Sequence, residues 1–264
     1  MSATKKVKRP VWPAARRLQR PTSRRRSRTA VTSAMGPRVA SAVCCVAMAR
    51  KSIPQAFTRK LLAWYARAAR DLPWRRTRDP YRVAVSEFML QQTQVARVLE
   101  FYPRFLKRFP TLEKLARAKP KAVREAWEGL GYYARASNLH ALARVVREAN
   151  DGIIPETPEE LRKLPGVGPY TAGAIATFAY EKPVAAVDTN VGRVIRRVFG
   201  NAERGMPNAE QWRLASMLVP KDGKRAWKFN QAMMELGALI CVARKPKCRE
   251  CPIQPQCRTG RRRR

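Results

Sequence analysis

Four cysteines near the C-terminal end, Cys241, Cys248, Cys251 and Cys257, follow the spacing C-x6-C-x2-C-x5-C within seventeen residues. Thiolates this close in sequence can converge on one metal centre, and Cys-only ligation suits either zinc or a 4Fe-4S cluster. Spacing rules alone favour zinc. A disulfide pair fits less well, because no segment has the apolar core of a cleavable secretory signal. Arg244, Lys245, Lys247, Arg249 and Arg258 interleave with the thiols. That arrangement suits a rigid loop pressed on a phosphate backbone, with a redox role as the alternative.

Glu87 is the second group able to do chemistry. Its neighbours on a helical reading are Val83, Val85, Phe88 and Leu90, so burial should raise its pKa and keep a proton available. A structural Glu paired with one of the many arginines is the competing interpretation. The segment Leu164-Pro-Gly-Val-Gly168 lies between a helical stretch near Pro158 to Lys163 and another starting near Tyr170. It has the form of a helix-hairpin-helix turn. Its glycines permit the tight bend, and backbone N–H groups at the positive end of the next helix can grip phosphate without reading bases. A plain helix–helix turn is the simpler alternative. Asp188, within Val187-Asp-Thr-Asn190, suits a helix N-cap ahead of Val191 to Val198. The single histidine, His140, sits mid-helix with no metal partner and reads as structural.

The elements that must position these groups are helical. Phe57, Leu61, Leu62, Trp64 and Tyr65 form one stripe, and Val123, Ala126, Trp127 and Leu130 another. Prolines and glycines from Pro73 to Pro183 divide the chain into helices of about 8 to 18 residues. Nothing reads as a strand. The 264 residues, 45% apolar, can bury one sizeable core or two small ones. Lys and Arg number 55 against 19 acids, and no apolar run reaches the ~20 residues that span a bilayer. The expected partner is therefore a polyanion, nucleic acid first, and not a membrane. Residues 1–50 carry 13 Lys or Arg and no acid. They read as a disordered basic arm or a mis-annotated start, with Met48 as a second candidate initiator.

The hairpin Leu164 to Gly168, Asp188 about twenty residues later and the four-cysteine loop together resemble the endonuclease III and MutY branch of base-excision DNA glycosylases. The likeness runs from about Phe57 to Cys257. Leu72-Pro-Trp-Arg75, Ser86 to Val95 and Gly129-Leu-Gly-Tyr-Tyr-Ala-Arg135 are similar to the MutY side in particular. The resemblance implies an all-α fold: a six-helix barrel over 73–185 holding the hairpin, an iron-sulfur lobe made from 51–72 with 186–264, and a DNA cleft between them. It turns the cofactor expectation to a 4Fe-4S cluster on the four cysteines, with zinc second.

The activity implied is hydrolysis of the N-glycosidic bond of adenine mispaired with guanine or 8-oxoguanine in double-stranded DNA. Such cleavage protonates a poor leaving group while positive charge grows on the sugar, so two carboxylates in different protonation states suit it. By resemblance Glu87 is the general acid and base. Asp188 would stay ionised and stabilise the sugar cation, with Tyr170 and Asn190 beside it. Gln92 and Tyr132 match positions that wedge into the base stack, and Trp74 and Arg75 match residues near the adenine pocket. Gly166 and Gly168 would contact phosphate. Endonuclease III relatives carry a catalytic lysine where this chain has Tyr170, which implies a monofunctional enzyme with weak or no lyase activity. The chain stops seven residues past Cys257, so the C-terminal domain that reads oxidised guanine in MutY proteins is expected to be missing. Thymine or uracil mismatch glycosylases share that shorter layout and form the alternative reading; a non-catalytic binder of DNA structure is the alternative of another class. A monomer in the bacterial cytoplasm, associated with the nucleoid, is the expected setting, with a targeting role for residues 1–47 as the other possibility.

Overall fold

The computed structural model describes residues 55–200 and 205–261. The basic arm expected over residues 1–50, with Cys44 and Cys45, lies outside them. Among the described residues all regular structure is helical. Helix α1 covers 55–68. It is followed by α2 (Pro80–Leu90), α3 (Val95–Arg108), α4 (Leu112–Ala116), α5 (Pro120–Ala126), α6 (Ala134–Ala149), α7 (Pro158–Leu161) and α8 (Pro169–Tyr180). Then come α9 (Thr189–Phe199), α10 (Asn208–Leu218), α11 (Gly223–Leu239) and α12 (Arg258–Arg261). Several are shorter than the sequence suggested: α4, α7 and α12 have 5, 4 and 4 residues. Thr111 and Thr157 each cap a helix that ends within two turns, so one capping residue does not guarantee a long helix.

The central element is α2. Asp79 accepts hydrogen bonds from the N–H groups of Tyr81 (2.8 Å) and Arg82 (3.2 Å), and Pro80 occupies the first helical position, where its missing N–H costs nothing. All residues from Tyr81 to Met89 except Arg82 are buried. A helix covered on nearly every side is an interior helix, and α3, α6 and α8 pack around it. Phe88, Phe105, Trp127 and Leu139 belong to this first core, with Trp127 edge-on to Phe105 at 5.7 Å between centroids. Burying each such side chain contributes about 1.5–3 kcal/mol.

A second core gathers Phe57 and Leu61 of α1, the α9 stripe Val191, Val194, Ile195 and Val198, and Phe229, Met233 and Leu236 of α11. Helix α11 also packs against α8, and Met234 touches both cores. Side chains from α2, the start of α8, the start of α9 and the second half of α11 line one cavity.

Candidate active site

That cavity has a volume of about 850 Å3 and is lined by Glu87, Tyr170, Asp188, Asn190, Arg75 and Glu235 among others. Glu87 is buried on α2, and Tyr170, in the first turn of α8, donates its hydroxyl to Glu87 Oε2 at 2.7 Å. Burial pushes the Glu87 carboxyl up to about 7; the Tyr170 hydrogen bond opposes that rise, the nearby Asp188 charge reinforces it and Arg75 opposes it. The group is thus poised to hold or release a proton near neutrality. Tyr170 lines the same cavity as Asp188 and lies within reach of its charge, while its hydroxyl bonds Glu87. The hydrogen-bond partner of Glu87 is this phenol, and Arg75 acts on it only through its charge.

Asp188 caps α9: Oδ1 accepts from the Val191 N–H at 2.7 Å and Oδ2 from the Asn190 side-chain amide at 2.9 Å. Burial pushes its carboxyl up from the usual value, against the Val191 and Asn190 hydrogen bonds and the positive field of Arg193, which favour the ionised form. One side chain therefore caps α9 and lines the cavity. Arg193 in turn donates to Asn190 Oδ1 (2.7 Å), to the Gly237 carbonyl (2.6 Å) and to the Cys241 carbonyl (2.8 Å). A Cβ on Gly237 would sit 2.7 Å from Asn190 Cβ, so only glycine lets α11 approach the start of α9 this closely.

The far wall is an ionic cluster the sequence did not single out. Glu235, fully buried on α11, accepts from Arg75 at 2.7 Å and from Arg70 at 2.7 and 3.0 Å. Burial raises the Glu235 pKa, and the Arg70 and Arg75 hydrogen bonds more than reverse it, leaving the group below its usual range. Trp74 both lines the cavity and packs edge-on to Tyr102, 5.6 Å between centroids.

Gln92 and Tyr132 are exposed, and each adopts a left-handed conformation, with φ 55° and 48°. The adjacent Tyr133 turns toward the core, with Arg124 over its ring. Gly166 has φ 72°, and a Cβ there would lie 2.6 Å from Asn138 and 2.9 Å from Phe88. Gly168, at the N-cap of α8, would meet nothing within 4 Å, which leaves its backbone face open. His140 is buried with Nε2 unpartnered.

The four cysteines are free and line one small cavity with Val194, Ile240 and Ile253. Among the described residues, no group of three or more His, Cys, Asp or Glu is arranged to hold a single metal ion. Donors do approach the sulfurs: Arg197 to Cys241 Sγ at 3.4 Å and the Gly260 N–H to Cys257 Sγ at 3.2 Å. Burial pushes the Cys251 thiol up to about 11, with the other cysteines adding to the rise. Four thiols lining an apolar space, with N–H groups directed at two of the sulfurs, form a donor set whose chemistry suits a thiolate-bound metal centre.

Residues 85–220, a span that contains Glu87, the hairpin and Asp188, match the family described as HhH-GPD superfamily base excision DNA repair protein. The chain belongs to that superfamily. Within it, the chain is 45% identical over 219 residues to the adenine DNA glycosylase of Rattus norvegicus, an alignment covering 78% of this chain and 42% of the rat protein. The chain thus spans about two fifths of that relative's length. Among solved structures it is similar to a thermostable thymine-DNA glycosylase, with a TM-score of 0.75, 33% identity and coverage of 81% of this chain and 99% of the other. It is also similar to endonuclease III in a trapped covalent intermediate with DNA, with a TM-score of 0.67, 25% identity and coverage of 78% and 94%. The all-α helix-hairpin-helix fold expected from the sequence is therefore the fold of this superfamily member. Sequence reasoning missed Glu235, Arg70 and Arg193. Glu235 lies in an apolar stretch of α11 and could have been flagged as Glu87 was; the two arginines were hidden among 55 basic residues.

Proposed function

We propose that this chain is a monofunctional DNA glycosylase that hydrolyses the N-glycosidic bond of adenine mispaired with guanine or 8-oxoguanine in duplex DNA. The observation that carries the reading is the Glu87–Tyr170 pair facing Asp188 across one cavity, with Glu87 held at about 7. In the reaction, Glu87 donates its proton to a ring nitrogen of the extruded adenine as the bond to the sugar breaks and its electron pair leaves with the base. Asp188, oriented by Asn190, stabilises the cationic sugar. Glu87, now ionised, accepts a proton from the water that attacks the sugar. Trp74 and Arg75 wall the base pocket, Gln92 and Tyr132 fill the gap left in the stack, and Gly166 and Gly168 present the hairpin to phosphate. A tyrosine hydroxyl at position 170 cannot form the Schiff base that a lysine would, which supports little or no lyase activity.

The four cysteines would hold a 4Fe-4S cluster, which would supply positive charge to the half-buried thiolates and rigidity to a loop rich in Lys and Arg. Purified protein is expected to carry about four irons per chain; one tightly bound zinc in their place overturns the assignment. The barrel over 73–185 and the cluster lobe from 51–72 with 186–264 would clasp a mismatched or oxidised duplex as a monomer. Single-turnover base release from duplexes with A opposite 8-oxoguanine, A opposite G, T opposite G and U opposite G tests the activity. Adenine release supports the reading. Release of thymine or uracil alone reassigns the substrate, and tight binding with no release makes the chain a binder of DNA structure.

A further inference from the structure

Arg135, in the first turn of α6, is a buried cation with no carboxylate partner among the described ion pairs. Its guanidinium is surrounded by oxygens from two separate turns. Nη1 faces the carbonyls of Phe88 (3.1 Å) and Met89 (2.7 Å) in the last turn of α2, and the Gln91 carbonyl (2.5 Å) and Thr93 hydroxyl (3.0 Å) in the turn that follows it. Nη2 donates to the carbonyls of Leu130 (3.3 Å) and Gly131 (3.0 Å), and Nε to that of Tyr132 (3.4 Å). The guanidinium carbon also lies 5.5 Å from the centroid of the Tyr132 ring. A cation at a helix C-terminus is favoured by the helix dipole and satisfies carbonyls that have no partner within the helix. Here one planar fork does this for α2 and for the 130–132 turn at once.

Those two turns carry the exposed, left-handed residues Gln92 and Tyr132. Neither is glycine, so each conformation persists only where its surroundings enforce it. We propose that Arg135 is a positioning residue that locks the Gln92 and Tyr132 turns into one rigid wedge, so that opening of the base stack depends on both turns moving as a unit. The proposal rests on the glycosylase reading of these turns and adds a residue that touches neither base nor sugar.

The test uses the whole chain and a duplex with 2-aminopurine opposite 8-oxoguanine, whose fluorescence rises when the base leaves the stack. Arg135→Lys keeps the charge but cannot fork to both turns. Thr93→Val, a milder variant, removes one acceptor should Arg135→Lys fail to fold. Expected are a fluorescence rise about tenfold smaller in Arg135→Lys, unchanged affinity for a duplex with an abasic analogue, and no additional loss when Tyr132→Ala is combined with either variant. Independent, additive effects of the two substitutions overturn the proposal, as does an equal loss of affinity for the abasic duplex, which signals a merely structural role. A wild-type fluorescence rise without adenine release refutes the glycosylase reading and leaves the wedge standing. Adenine release that Arg135→Lys and Thr93→Val leave untouched does the reverse.

Discussion

The Tyr170 hydroxyl lies 2.7 Å from Glu87 Oε2 and donates its proton there, joining the first turn of α8 to the buried face of α2. This bond stabilises the ionised carboxylate and opposes the larger effect of burial, which favours the protonated form. Tyr170→Phe removes the donor, so the Glu87 pKa should rise above about 7. The limb of the pH–rate profile that reports loss of the acid form is expected to move to higher pH. A profile unchanged in Tyr170→Phe would separate Glu87 from that limb. The lost hydrogen bond should cost about 1 kcal/mol of stability.

Glu87→Gln should abolish base release while leaving duplex binding intact, because the amide cannot deliver a proton. Its effect on stability runs the other way. The Glu87 pKa is about 7 in the fold against an ordinary 4.5, so between those values the folded chain holds more proton than the unfolded one, and stability falls as pH rises. Above pH 7 the wild type has lost about 3 kcal/mol on this account. Denaturant unfolding of Glu87→Gln should therefore show greater stability than wild type at pH 8, and the advantage should disappear below pH 4.5.

Glu235→Gln breaks the pairing with Arg70 and Arg75 and leaves the Arg75 guanidinium, 10% exposed, facing a neutral partner. The expected cost is about 3 kcal/mol at neutral pH. Glu235 has a depressed pKa, so its contribution is present above the ordinary value of 4.5 and fades as pH falls through the folded value. Urea unfolding of wild type and variant should converge at low pH. The freed positive charge of Arg75 would also lower the Glu87 pKa, moving the limb that reports loss of its acid form to lower pH.

The two hairpin glycines should respond differently. Gly166→Ala forces a Cβ into a left-handed backbone and within 2.6 Å of Asn138, so it should cost about 2 kcal/mol in thermal or urea unfolding. Gly168→Ala meets open space, so a loss of about 1 kcal/mol or less is expected, the ordinary effect of alanine at an N-cap. Weaker duplex binding by Gly168→Ala, measured across a salt titration, would mark that open face as the phosphate contact; unchanged binding would remove it from the interface.

Local pattern and composition determined much of this protein. The helical class followed from the 3.6-residue spacing of residues such as Phe57, Leu61 and Tyr65, the hairpin from Pro-Gly-Val-Gly168, the cap at Asp188 from its place ahead of an apolar stripe, and the raised Glu87 pKa from the apolar neighbours on its helix. These depend on interactions within a few residues, which the chain displays directly. Only the tertiary structure decided who meets whom. It aimed Tyr170 at Glu87 across 83 positions and set Glu235 between two arginines 160 and 165 positions away. It also used one arginine, Arg135, to hold a turn more than 40 positions before it together with the turn just ahead of its own helix. Charge counts cannot identify such pairings in a chain with 55 basic residues, because any of them could satisfy a buried acid or carbonyl until packing selects the one that reaches it.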